Sequence, residues 1–177
     1  MTAIADIFHN IGRMLTYDPS GPMLFSSGTF WALFLVFMPV YGMLRRRFWQ
    51  MVVFVVAFSF FFYYKSSGIF VCLLGATSAV DWLLSKAIAR PGASRRVRRL
   101  CVAASLLTSL GILAYFKYAN FFLWNINAMV GSNFQPLDLV LPVGISFYTF
   151  QSVSYIIDVY KGRVAPTATW LEYAFFL

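Results

Sequence analysis

Charge is what this sequence has least of. Only 11% of its 177 residues are Asp, Glu, Lys or Arg, against about 25% in an ordinary soluble domain. Histidine occurs once, at His9, on a polar N-terminal stretch with no Ser, Cys or paired carboxylate beside it. That setting suits an exposed interfacial side chain, not a catalytic base. The two cysteines, Cys72 and Cys101, both lie inside apolar runs. They read as packed thiols, which excludes a disulfide framework, and no cluster with metal-ligand spacing exists. A nucleophile elbow, a phosphate-cradling glycine loop and a carboxylate pair are missing too, so motifs alone point to no active site. Also absent is the strict alternation of a transmembrane barrel.

What the chain does have is apolar length. It is 60% hydrophobic and 20% aromatic, arranged in long runs, and about 20 apolar residues suffice for a helix to cross a bilayer. The fold class expected is all-α, a polytopic transmembrane helical bundle. Five spans are read at Phe25–Leu44, Phe48–Tyr64, Ile69–Leu84, Leu100–Phe116 and Leu139–Tyr160, with a sixth beginning near Trp170. Residues 1–22 form a separate unit. Ile4, Ile7, Phe8, Ile11, Met14 and Leu15 recur at helical spacing, which predicts an amphipathic interfacial helix and no cleaved signal peptide. Residues 23–177 form the membrane domain. Between spans four and five, YANFFLWNINAMVG is too polar to cross comfortably and is expected as an interfacial or re-entrant helix.

The basic residues fix an orientation. Eleven fall after spans one, three and five, in the clusters around Arg45–Arg47, Lys86–Arg99 and Lys161–Arg163. Three fall on the other side, Arg13, Lys65 and Lys117. The positive-inside rule makes the rich side cytoplasmic and the N-terminus external. Topology thus accounts for the net charge of +8, and no nucleic-acid partner is implied. The lipid bilayer is the partner that composition itself demands.

Polar groups at membrane depth are costly and mark candidate functional positions. Asp81 stands near the end of span three, where it either lines a proton or substrate path or pairs with Lys86 at the interface. Asp158 lies beside Lys161 and Arg163, which suits an ion pair or helix cap. Gln151 is mid-span, on one helical face with Tyr148, Ser152 and Tyr155. It is either interhelical glue or the lining of a cavity. Pro142 and Gly144 predict a broken start to the fifth span.

Several phrases carry a family resemblance. They are Met23-Leu24-Phe25-Ser26-Ser27, Asp81-Trp82, Phe116-Lys117-Tyr118-Ala119-Asn120-Phe121-Phe122, and above all LPVGISFYTFQ at Leu141–Gln151 with YIIDVYKG at Tyr155–Gly162. Together, over residues 23–177, they resemble the N-terminal part of the membrane-bound O-acyltransferase (MBOAT) family, in its bacterial alginate O-acetylation and D-alanyl transfer branch. The resemblance implies an incomplete MBOAT fold, a tunnel-like core in a ring of helices, and a bacterial inner (cytoplasmic) membrane location. It implies transfer of an acyl group, expected to be acetyl, from a cytoplasmic thioester donor, acetyl-CoA or an acyl carrier protein. The acceptor would be an exported polysaccharide such as alginate, and the partner a periplasmic acyltransferase or other polysaccharide-modifying protein. No cofactor stays bound and no metal is implied. Within that resemblance Tyr148, Gln151 and Asp158 are expected to line the acyl path. The family histidine lies beyond Leu177 and His9 matches no family position, so these 177 residues alone are expected to be inactive. Residues 1–22 depart from the family pattern. A small transporter or channel subunit, or a non-catalytic membrane scaffold using the Asn-rich segment, is the rival reading. Solute movement in place of acylation would identify a transporter, and neither activity would identify a scaffold.

Overall fold

A computed structural model of the chain describes Tyr17, Met23, residues 26–137 and residues 141–177. The amphipathic helix expected within residues 1–22 therefore lies outside the described residues, Tyr17 apart. Among the described residues every regular element is an α-helix: α1 Gly28–Leu44, α2 Phe48–Ser67, α3 Phe70–Ala89, α4 Arg95–Val130, α5 Ile145–Tyr160 and α6 Trp170–Phe176. Helices α2, α3 and α4 are long and apolar enough to cross a membrane, and α1 is a shorter apolar helix. Within the apolar windows of the three long helices only 17–22% of residues are buried. Leu35, Met43, Leu107 and Phe147 are each more than 70% exposed. Keeping such area in water costs about 25 cal/mol per Å², whereas lipid solvates it, so the chain is a membrane protein.

The chain divides into two compact units, Met1–Leu74 and Gly75–Leu177. The first is held by aromatic packing. Ser27 caps α1, its hydroxyl accepting from the Phe30 amide at 3.2 Å. Phe30, Phe34, Phe37 and Tyr41 then stack along one face at helical spacing. Phe37 meets Phe58 and Phe54 of α2 at centroid distances of 4.5 and 5.2 Å, and Phe30 meets Phe62 at 5.2 Å. Each such pair adds about 0.5–1.5 kcal/mol beyond its buried area. Helix α2 ends at Gly68, whose amide returns to the Tyr64 carbonyl at 2.8 Å. Gly68 has φ +60°, and a Cβ there would stand 2.8 Å from the Tyr17 ring.

In the second unit α4 corrects two sequence expectations. The segment YANFFLWNINAMVG is helical but not a separate interfacial helix. It continues span four without a break, giving 36 residues, about 54 Å at 1.5 Å per residue. No proline interrupts the helix, and after Gly111 the next glycine is Gly131. Gly131 stops it in the left-handed conformation, its amide bonding the Asn127 carbonyl. Two of the asparagines in this stretch hold the returning chain. Asn120 donates to the Leu137 carbonyl and accepts from its amide, both at 2.8 Å. Two turns on, Asn127 clamps Phe134 in the same way at 2.9 and 3.0 Å.

Helix α5 starts late, as Pro142 and Gly144 foretold. Gly144 has φ +74° and precedes a helix of 16 residues, about 24 Å long. Its far end is capped by Arg98, which donates to the Tyr160 carbonyl at 3.0 Å. Helix α6 opens with a reciprocal capping box between Thr169 and Glu172. Ile88, Tyr155, Ile156, Val159 and Tyr173 form the core of this unit, with Cys101 packed against it. Cys72 is exposed, contrary to the packed thiol expected there.

Replacing Gly68 by alanine forces a side chain into a conformation that costs about 1–3 kcal/mol and against the Tyr17 ring. The thermal midpoint of the purified protein should fall clearly for Gly68→Ala, and a Tyr17→Ala background should recover part of the loss.

Candidate functional site

The second unit carries a polar seam through otherwise apolar helices. Thr77, Asp81 and Ser85 on α3, Ser105 and Ser109 on α4, and Tyr148 and Ser152 on α5 are each spaced at four residues, which stacks them on one helical face. All seven are buried, and Asp81 is only 2% exposed. The Asp81 carboxylate is the point where the three faces meet. Its Oδ1 accepts from Ser105 at 2.5 Å and its Oδ2 from Ser109 at 3.3 Å. Oδ2 also accepts from the Ser152 hydroxyl, which in turn accepts from the Tyr173 phenol of α6 at 2.8 Å. Because the phenol occupies Ser152 as an acceptor, the serine proton is directed at the carboxylate.

This arrangement corrects the pairing of Asp81 with Lys86. Helix α3 does not end at Leu84 but runs to Ala89, so Asp81 lies eight residues inside it, about 12 Å from that end. Lys86 points elsewhere, donating to the Ala168 carbonyl at 2.8 Å and lying over the Trp82 ring. Among the described residues the one ion pair joins Arg163 to Asp158 at 3.4 Å. Among the described residues, the hydroxyls of Ser105, Ser109 and Ser152 donate to the Asp81 carboxylate. Bonds to a charged group contribute about 1.5–3 kcal/mol each, and a buried carboxylate that loses its donors leaves a penalty of several kcal/mol.

Around the carboxylate lies a small cavity lined by Thr77, Asp81, Ser109, Ile112, Tyr148, Thr149, Ser152 and Leu177. It has room for about one water-sized guest. The three residues expected on one path separate here. Tyr148 lines this cavity. Gln151 sits beside it on α5 and donates its amide to the Phe176 carbonyl of α6. Its Oε1 is buried and meets no donor among the described residues. Asp158 lies two turns along, part-exposed and paired with Arg163, which matches the ion-pair expectation. No cluster of His, Cys, Asp or Glu able to hold a metal occurs among the described residues.

The loop between α5 and α6 is tied to the same unit. Trp82 donates to the Thr167 carbonyl at 3.3 Å, and the Thr167 amide donates to the Tyr155 hydroxyl at 2.9 Å. Trp170 donates to Ser78 at 3.0 Å. Ser105 and Ser109 were not singled out from sequence. Their signal was available, two serines four residues apart in an apolar helix, but it takes a partner on another helix to give it meaning.

Comparison with known proteins gives a consistent set of relatives. Over 160 residues, 88% of the chain, it is 33% identical to the probable alginate O-acetylase of Pseudomonas aeruginosa, of which that stretch covers 30%. The probable alginate O-acetylase of Azotobacter vinelandii is 31% identical over 160 residues, 88% of the chain and 32% of that protein. The peptidoglycan O-acetyltransferase of Helicobacter pylori is 42% identical over 64 residues, 36% of the chain and 12% of that protein. The chain thus spans about a third of the length of the alginate relatives it matches. No protein-family profile and no solved structure matches it.

Among the described residues, Ser152 is the hydroxyl shown both to receive from α6 and to donate to Asp81. Ser152→Ala should therefore lower stability by about 1.5–3 kcal/mol, and Tyr173→Phe, which removes one neutral bond, by about 1 kcal/mol. Thermal unfolding in one detergent gives the ranking, and equal losses would contradict it.

Proposed function

The chain is a relative of the bacterial O-acetyltransferases of the membrane-bound O-acyltransferase family, and we propose that it forms the N-terminal membrane portion of such an enzyme. The observation that carries this reading is the 33% identity over 160 residues to an alginate O-acetylase. The named relatives act on alginate or peptidoglycan. Both polymers offer sugar hydroxyls, which sets the acceptor class as an exported glycan such as alginate. In the transfer, a hydroxyl oxygen attacks the thioester carbonyl, the new C–O bond forms and the C–S bond breaks. The thiol leaves and the hydroxyl proton passes to a base. The described residues include no histidine, and we assign that base to none of them.

Five spans in the inner membrane, with the N-terminus outside, follow from the distribution of Arg and Lys. In that orientation Arg45–Arg47, Arg95–Arg99 and Lys161–Arg163 face the cytoplasm, where an acyl-CoA or acyl carrier thioester would be met. A periplasmic acyltransferase would receive the group on the far side. Within the chain, Tyr148 lines the acyl path beside the Asp81 cavity. Gln151 offers its unbonded Oε1 to it while holding α6, and Asp158 with Arg163 stands at its cytoplasmic mouth. Support for these roles is geometric: Tyr148 borders the cavity beside Asp81, and Gln151 holds a buried acceptor one turn away.

The test uses the full-length protein with its native partners, a labelled acetyl donor, and acetate released from the polymer. Tyr148→Phe and Gln151→Leu should each lower acetylation about tenfold, the equivalent of about 1.4 kcal/mol in the barrier. Unchanged acetylation at equal protein level rejects the lining roles. Loss of polymer acetylation on deleting the whole protein supports the transferase reading itself.

A further inference from the structure

We propose that the cavity beside Asp81 is a binding site for one monovalent cation of sodium size. The argument begins with charge. Asp81 is 2% exposed and takes its hydrogen bonds from neighbouring hydroxyls. The Tyr173 phenol donates to Ser152, which leaves the Ser152 proton for the carboxylate, and Ser105 and Ser109 donate as well. Yet among the described residues no basic side chain bonds this carboxylate. Lys86 bonds the Ala168 carbonyl and Arg98 bonds the Tyr160 carbonyl. A buried carboxylate without a cation is among the most costly groups a membrane interior can hold.

The cavity supplies the missing half. Five hydroxyl-bearing residues, Thr77, Ser109, Tyr148, Thr149 and Ser152, line it together with Asp81, Ile112 and Leu177, around a space for about one water-sized guest. Hard cations take oxygen donors, and unit negative charge matches a monovalent ion and not a divalent one. Sulfur and imidazole, which would select a transition metal, are absent from the lining. Serine and threonine hydroxyls rotate, so they can turn lone pairs to an arriving ion and keep their protons for the carboxylate when it leaves. The proposal rests on this geometry and on the chain lying in a membrane. It does not rest on acyl transfer, so its failure leaves that reading standing.

The experiment measures thermal unfolding of the purified protein in detergent by intrinsic tryptophan fluorescence. Sodium, potassium and choline chlorides are compared at one ionic strength, and Asp81→Asn is run beside the wild type. The site predicts a saturable rise in midpoint with sodium over choline, smaller with potassium, and none in Asp81→Asn. Should Asp81→Asn fail to fold, radioactive sodium binding to the unaltered protein gives the answer. One site per chain is expected, weakened about tenfold, or about 1.4 kcal/mol, by Ser109→Ala. Absence of a sodium effect overturns the proposal, as does an equal effect in Asp81→Asn. Stabilisation by lowering the pH, with no dependence on sodium, also overturns it, because a proton then fills the role.

Discussion

A carboxylate removed from water demands donors from every direction its lone pairs point, and that demand organises the second unit. Asp81 takes its donors from α4 and α5, and through Ser152 it reaches α6. Apolar side chains in lipid gain little by choosing one neighbour over another, since lipid tails are as apolar as leucine. Directed bonds to a charge do discriminate, because a helix turned by one residue takes its serine off the carboxylate. The seam of hydroxyls therefore supplies the specificity that apolar burial cannot supply in this solvent.

The first unit solves the same problem differently. Its helices meet through phenylalanine contacts, with Phe37 against Phe54 and Phe58, and its buried lysine, Lys65, sits in the last turn of α2. Among the described residues its polar groups include the Ser27 cap, the Gly68 turn and the buried Lys65, Ser66 and Ser67 at the end of α2. Chain termination in the second unit is also local. Asn120 and Asn127 bind backbone groups that would otherwise hang unsatisfied beyond α4, and the Thr169 to Glu172 box starts α6. Asp81 is the buried carboxylate among the described residues, which is why the cavity beside it attracts functional interpretation.

Helical class and membrane character were legible in the sequence because both follow from apolar length. The late start of α5 was legible from Pro142 and Gly144, whose backbone constraints act locally. Asp158 and its basic neighbour were legible for the same reason, being five residues apart. What could not be read was whatever depends on a partner distant in sequence. Asp81 lies 24 residues from Ser105 and 71 from Ser152, and apolar length alone ended α3 one turn too early. That error moved the carboxylate to an interface and handed it to Lys86. The Asn-rich stretch misled differently: its polarity was taken for a separate helix, whereas helix propagation without a breaker carried α4 through it. The family resemblance was legible from the block at Leu141–Gly162, and the relatives agree with it.

The account stands on the energetic coupling of Asp81 to the serines of other helices. A double-mutant cycle of Asp81→Ala and Ser105→Ala, followed by unfolding in bicelles, measures that coupling directly. The account predicts that the two losses are not additive, the pair retaining an interaction of about 1 kcal/mol or more. Strict additivity would mean that the carboxylate and the hydroxyl do not stabilise each other, and would contradict it.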